Sequence, residues 1–184
     1  MSKLRKIPSR ISRFFILKLE YINSDLYRKK YIKWLTKQGV KIQGIPNYIS
    51  NTVYFDGSRY ECIELGDGCT ISRDVLLLTH DYSMHTVLNG IEQCLGEEIW
   101  KTLHDKDSIN NLLDQRPIRV GNHSFIGARS CLLPGTIIGD NCIIGAGSVV
   151  KGVIPDNSIV IGNPAKIYKS TSEWLIQKAK ELKK

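Results

Sequence analysis

Few side chains in this chain are suited to acid–base, nucleophilic or metal chemistry. Four histidines, His80, His85, His104 and His123, titrate near neutral pH and can move protons there. His80 and His85 have a His-x4-His spacing that two metal ligands could share, with His123 or His104 left to supply a third. The five cysteines, Cys62, Cys69, Cys94, Cys131 and Cys142, are odd in number and include no CxxC pair. That pattern predicts neither a disulfide framework nor a Cys-type zinc site, but small buried thiols in a reducing compartment. No Ser or Cys stands in an activating context, so chemistry here is expected to run without a covalent intermediate on the protein.

The elements that must position these groups follow from composition and periodicity. With 184 residues, 42% hydrophobic and 24% charged, the chain has the size of one soluble domain. The longest early apolar run, Phe14-Phe15-Ile16-Leu17, is cut off by Lys18 and Glu20, and no run reaches 18 residues. Neither a spanning helix nor a secretory signal is expected, which places the protein in the cytoplasm or peripheral to the inner face of the membrane. The formal charge of +8 is not spread evenly. Residues 1–41 hold twelve Lys or Arg against Glu20 and Asp25, a net +10, which leaves −2 for residues 42–184. The basic charge thus belongs to an N-terminal segment, 1–40, suited to anionic lipid or another polyanion and not to a nucleic-acid-binding body.

Residues 9–22 and 24–38 read as two helices. In the first, Ile11, Phe15, Leu19 and Ile22 recur at helical spacing; the second starts at Ser24 as N-cap and stops at Gly39. Ser170 with Glu173 makes a capping box for a terminal helix, so 170–184 forms a third segment. Between them, a period of six dominates. Val120, Ile126, Leu132, Ile138, Ile144 and Val150 are all aliphatic, and Ser124, Ser130, Thr136, Cys142 and Ser148 fill a small-residue slot four positions on. Gly121, Gly127, Gly139 and Gly145 directly follow four of the aliphatics. The same register holds at Leu65, Ile71 and Leu77, and more weakly from Ile49 to Phe55. Six-residue spacing fits neither a helix nor a hairpin. It fits a chain wound around a triangular prism, with one aliphatic inward per face, a small residue at each corner, and Gly to permit the turn.

The residues that carry this pattern also carry a resemblance. Leu65-Gly66-Asp67-Gly68-Cys69-Thr70-Ile71-Ser72, Thr79-His80-Asp81, Ile144-Gly145-Ala146-Gly147-Ser148 and Gly162-Asn163-Pro164-Ala165-Lys166 resemble the hexapeptide-repeat acyltransferases. Within that family the chain is similar to the galactoside and maltose O-acetyltransferases and to those of capsule and exopolysaccharide biosynthesis. The resemblance covers about residues 40–169. It implies an all-β, left-handed parallel β-helix over 41–169, flanked by the helical ends and interrupted by a loop excursion, 82–116. It also implies a homotrimer with sites between subunits, acetyl-CoA as co-substrate, a saccharide acceptor and no metal.

By the same resemblance His80, at the end of a repeat where the excursion leaves, is the catalytic residue. A sugar hydroxyl must lose its proton as it attacks a thioester, and histidine suits that general-base role. Its orienter is expected to be a backbone carbonyl or a loop carboxylate, since Asp81, adjacent on a strand, points the other way. Backbone groups of Gly127, Ala128, Gly145 and Ala146 are expected along the CoA arm, the Gly127–Ala128 corner supplying oxyanion donors, with Lys151, Lys166 and Lys169 toward the phosphates. Where related enzymes often have Ser and Thr-Lys, this chain has Ala128 and Lys151-Gly152. Asp81, His85 and Trp100 are the candidates for acceptor binding, the last two from the excursion, whose length marks it as functional.

Three other readings use the same fold. One is N-acetylation of a nucleotide-linked amino sugar, with an antibiotic-modifying acetyltransferase as a lesser variant. A second is a γ-carbonic-anhydrase-like metal site built on the histidines, and a third is a non-catalytic β-helix scaffold.

Overall fold

A computed structural model describes residues 12–56, 59–81, 83, 86, 87, 101 and 117–183. Fifteen short strands, β1 to β15, are present among them, most only two residues long. Three parallel sheets form the faces of a prism. The first stacks β1 (Lys41–Ile42), β4 (Ile63–Leu65), β7 (Ile118–Val120), β10 (Ile137–Ile138) and β13 (Val153–Ile154). The second stacks β2 (Tyr48–Ile49), β5 (Thr70–Ile71), β8 (Phe125–Ile126), β11 (Ile143–Ile144) and β14 (Ser158–Gly162), with β15 (Ala165–Ser170) antiparallel at its edge. The third stacks β3 (Tyr54–Phe55), β6 (Leu76–Leu77), β9 (Cys131–Leu132) and β12 (Val149–Val150).

Register explains the period of six. Val120 pairs with Ile138, Ile126 with Ile144 and Leu132 with Val150, so one coil is 18 residues and each face takes six. All six of these aliphatics point inward and are 0–3% exposed. Each contributes roughly 1.5–3 kcal/mol by leaving water. The small-residue column is equally buried, and its polar atoms are satisfied within the stack. Ser124 Oγ donates to the Gly139 carbonyl (2.7 Å), Ser130 Oγ to Gly145 (3.0 Å) and Thr136 Oγ1 to Val150 (3.0 Å).

The glycines differ from the sequence expectation. Gly121 and Gly127 do not make the turn; a Cβ on either would lie 2.5 Å from backbone atoms of the next coil, at Gly139 and Ala146 respectively. They are there so that coils can stack closely. The turn itself is made two residues later by a left-handed residue at each corner, including His123, Arg129, Gly135, Asn141 and Gly147.

Between the second and third coils the pairing jumps. Leu65 pairs with Val120, 55 positions on instead of 18, so 37 residues leave the prism between Leu77 and Ile118. The expected excursion, 82–116, falls inside that interval; apart from Ser83, Thr86, Val87 and Lys101 it lies outside the described residues.

Helices lie at both ends. Residues 12–18 (α1) run into a 3-10 turn, Leu19–Tyr21, and α2 spans Ser24–Gln38. The N-cap of α2 is Asn23, whose side chain accepts from the Leu26 N–H (2.9 Å), one residue before the expected Ser24. Tyr27, Tyr31, Trp34 and Leu35 on one face of α2 are buried in a single core with the prism interior, and Tyr27 Oη donates to the Ile49 carbonyl (2.7 Å). The helix plugs the open end of the first coil. Of the apolar set expected in the first helix, Leu19 packs on the core, joined by Ile16 and Leu17, whereas Phe15 and Ile22 face solvent; Ile11 lies outside the described residues. The last helix, α3, spans Thr171–Glu181 behind the expected Ser170–Glu173 capping box. No helix among the described residues is long and apolar enough to cross a membrane.

Candidate active site

His80 lies three residues past Leu77, at the corner where the third face ends and the excursion departs. Directly beneath, Phe55 pairs with Leu77, which brings Asp56 under Leu78. The Asp56 N–H bonds the Leu77 carbonyl (3.2 Å), and its side chain turns along the corner. Asp56 Oδ2 accepts from the Thr79 N–H (2.9 Å) and the Thr79 hydroxyl (3.0 Å), and lies 2.5 Å from His80 Nδ1. Asp56 is 3% exposed, whereas the His80 side chain is 28% exposed. A buried carboxylate thus fixes the imidazole by Nδ1, which in the neutral ring puts the lone pair on Nε2. An imidazole held in this way can accept a proton at Nε2.

A backbone carbonyl or a loop carboxylate is the expected partner; the group that meets Nδ1 is instead a carboxylate of the preceding coil. Asp56 was not singled out from the sequence. Its signal was there in the register, since it follows Phe55 at the corner where His80 follows Leu77.

Asp81 is exposed and turns away to accept from the Ser83 N–H (2.8 Å). That hydrogen bond, then the Ser83 hydroxyl, holds its carboxyl below the usual carboxylate range, with smaller contributions from the charges of Lys151 and His80. Lys151 therefore belongs to the same corner, two coils above His80, directly after β12. Lys166 and Lys169 are elsewhere, on β15. Lys166 is exposed; Lys169 Nζ donates to Gln177 Oε1 (3.0 Å) and lies over the Tyr168 ring.

The Gly127–Ala128 and Gly145–Ala146 corners are stacked on one another, but the third face separates them from His80 within a single prism. The Gly127 N–H is committed to the Ile144 carbonyl (2.8 Å) and the Gly145 N–H to Val160 (2.8 Å). They are therefore not free oxyanion donors, contrary to the expectation for Gly127. Among the described residues no backbone bond uses the Ala128 or Ala146 N–H.

His123 is exposed on a different corner, beside a groove of about 310 Å³ that it shares with Asn141, Asn157 and Trp174. His85, His104 and Trp100 lie outside the described residues. No group of three or more His, Cys, Asp or Glu able to hold a metal ion occurs among the described residues. Cys62, Cys69 and Cys142 are buried and Cys131 is half-buried, none of them in a disulfide; Cys94 lies outside the described residues. Burial pushes the Cys69 thiol up to about 12 and raises Cys131 and Cys142 as well, so these are poor nucleophiles at neutral pH.

Residues 117–151 match the family model for the hexapeptide repeat of succinyl-transferase. The chain is 31% identical over 104 residues to the putative lipopolysaccharide biosynthesis O-acetyl transferase WbbJ of Escherichia coli K12, covering 49% of this chain and 53% of that one. It is 32% identical over 113 residues to the probable acetyltransferase Rv3034c of Mycobacterium tuberculosis, covering 61% of this chain and 32% of that one. It thus spans between about a third and about half the length of these curated relatives. In structure it is similar to a maltose O-acetyltransferase from Clostridium difficile 630, with a TM-score of 0.51 at 21% identity over 88% of this chain and 87% of the other. The resemblance carried by the motifs holds in sequence and in fold, and the chain is a left-handed parallel β-helix of hexapeptide repeats.

Proposed function

We propose that this protein is an acetyl-CoA-dependent O-acetyltransferase acting on a saccharide hydroxyl. The observation that carries the reading is the Asp56–His80 pair, a buried carboxylate orienting a partly exposed imidazole at the root of a long excursion. Sequence similarity to proteins named as acetyltransferases, one of them in lipopolysaccharide biosynthesis, supports the acetyl donor and the sugar acceptor.

In this mechanism His80 Nε2 takes the proton of the acceptor hydroxyl as its oxygen bonds to the acetyl carbonyl carbon. Asp56 stabilises the imidazolium that forms. The Ala128 N–H is the donor for the charge that develops on the thioester oxygen. As the C–S bond breaks, His80 returns the proton to the departing thiolate, leaving acetylated sugar and CoA. No side chain is acylated, in keeping with the raised thiol pKa values.

Because a full prism face separates His80 from Ala128 and Ala146, the complete site forms between two chains of a homotrimer. Supporting this, the outward columns of the second and third faces carry large apolar side chains, Phe125 and Ile143 on one and Tyr54 and Leu76 on the other, as do Ile137 and Val153 on the upper coils of the first face. On its lower coils the first face differs from the other two, carrying the Lys41–Glu64–Arg119 ion pairs (2.8 and 2.9 Å). CoA runs along the Gly127–Ala128 and Gly145–Ala146 corners, with Lys166 and Lys169 toward its phosphates and Lys151 near the reacting end. Asp81, His85 and Trp100 serve the acceptor.

Calorimetric titration of acetyl-CoA into metal-stripped protein tests the class without knowledge of the acceptor. Micromolar binding at one site per chain is expected, followed by thiol release with saccharide acceptors. Absence of binding at millimolar acetyl-CoA would overturn the reading.

A further inference from the structure

The helical cap has two unlike surfaces. One face of α2 is spent on plugging the prism. On the opposite face Lys29, Lys30, Lys33 and Lys37 are exposed, and none is ion-paired among the described residues. The two acids of this region are both engaged, Asp25 with Arg28 (3.2 Å) and Glu20 with the Tyr48 hydroxyl. Residues 12–41 hold eight Lys or Arg against Glu20 and Asp25; Arg28 and Lys41 are ion-paired, whereas, among the described residues, the four lysines of the outer face are not. Beside these cations, α1 and the turn after it leave large apolar side chains in water: Phe14 is 60% exposed, Phe15 66%, Tyr21 72% and Ile22 79%. Lys18 Nζ lies 5.6 Å from the centre of the Phe14 ring, so charge and apolar surface are interleaved.

We propose that this outer surface of the N-terminal cap docks on an anionic lipid membrane, the aromatic and aliphatic side chains entering the headgroup boundary and the lysines meeting the lipid phosphates. The chemistry selects this occupant. A soluble polyanion would use the lysines but gain nothing from Phe14, Phe15 and Ile22. A second copy would bury the apolar groups but bring two strongly basic surfaces together. An anionic bilayer surface uses both. Without a spanning helix among the described residues, the cap lies on the surface and does not cross it.

Docking also has a geometric consequence, which rests on the acetyltransferase reading while the docking itself does not. Asp56 and His80 belong to the first two coils, within about 10 Å of the capped end at one coil per ~4.8 Å. An acceptor held at a lipid surface would then be close to the base.

The test is cosedimentation of the full chain with vesicles of phosphatidylcholine alone and with phosphatidylcholine containing 30% phosphatidylglycerol. Binding is expected to the anionic vesicles, about tenfold or more above the neutral ones, and to fall at high salt. Both Phe14→Ser/Phe15→Ser and Lys29→Glu/Lys30→Glu/Lys33→Glu should weaken it at least about tenfold while leaving acetyl-CoA binding and the circular dichroism spectrum unchanged. Three outcomes of the cosedimentation would overturn the proposal. They are no binding to either vesicle, equal binding to both, and binding untouched by the Phe pair, which would reduce the surface to a site for soluble polyanions. A fall in oligomer size in the Phe variant would assign the patch to a second copy and overturn it as well.

Discussion

Asp56 and His80 come from consecutive coils of the β-helix, 24 positions apart in sequence, and meet because Phe55 and Leu77 are register partners. Oδ2 of Asp56 holds Nδ1 of His80 at 2.5 Å while also accepting two hydrogen bonds from Thr79. The carboxylate is thus anchored by the residue that precedes the histidine, and the imidazole cannot rotate without losing its Nδ1 contact. Such a pair fixes both the direction and the tautomer of the imidazole.

His80→Ala should lower kcat by about 10²–10⁴ and leave acetyl-CoA affinity unchanged, as expected on removal of a general base. Asp56→Asn is the more discriminating variant. Its amide carbonyl can still accept from Thr79, so the corner should keep its shape. Because Oδ2 takes all three contacts, that carbonyl oxygen also keeps the Nδ1–H bond, and the variant removes only the negative charge that stabilises the imidazolium. A kcat loss of about 10² or more with KM and melting temperature nearly unchanged is expected. If Asp56→Asn lowered stability and left kcat alone, the residue would be structural and its assignment as orienter would fail.

The glycine columns predict a contrast between two superficially similar substitutions. Gly121→Ala puts a methyl group 2.5 Å from the Gly139 backbone, and neither backbone can yield without separating the coils. A loss of about 1–3 kcal/mol is expected, as for overpacking in a rigid interior. At Gly147 the backbone is left-handed (φ 70°) with no heavy atom near a built Cβ. Asn141 and Asn157 adopt the same conformation at equivalent corners (φ 56° and 59°), so Gly147→Asn should stay within about 0.5 kcal/mol of the parent. Denaturant unfolding of the two variants checks the difference.

The prism was legible in the sequence because each face repeats one simple demand, an aliphatic inward every six residues and a small side chain at the corner. That signal survives even where coils are interrupted, as the shared register of Leu65 and Val120 demonstrates. What a one-dimensional period cannot carry is the relation between coils. The role of Gly121 depends on Gly139 above it, and Asp56 gains meaning only from His80, one coil on. The first coil was the weakest part of the repeat, which hid that acid. Helix α1 was misjudged for a different reason: Phe15 and Ile22 have helical spacing, but α2 already fills the end of the core and leaves them no surface to cover.

Packing of α2 on the prism end can be read through its tyrosines. Burial pushes Tyr31 up to about 12, against a smaller opposing pull from Arg13, and raises Tyr27 as well. A phenol whose folded pKa exceeds its unfolded value of about 10 stabilises the fold fully below that pH. This contribution is lost as pH rises from about 10 through the folded value, because only the unfolded chain can release the proton there. Melting temperature should therefore fall steeply between pH 10 and 12, with Tyr absorbance at 295 nm rising as the cap opens. Tyr31→Phe should flatten that fall. An unchanged alkaline profile in the variant would mean that another group controls the cap.

The separation of His80 from the Ala128 corner leads to the last prediction. If the site is shared between chains, a substitution that splits the oligomer must abolish turnover while leaving the Asp56–His80 pair intact. Phe125 on the second face is 43% exposed and stacks outside Ile143, on the surface proposed to meet a neighbour. Phe125→Glu places a charge there, and burying an unpaired carboxylate costs far more than one face-to-face contact returns. Light scattering should find the variant monomeric, and thiol release should drop by at least about tenfold. The monomer should still unfold cooperatively, since Phe125 points away from the prism interior. A monomeric Phe125→Glu protein with full activity would place the whole reaction within one chain, and the oxyanion donor would then have to be sought near His80 and not at Ala128.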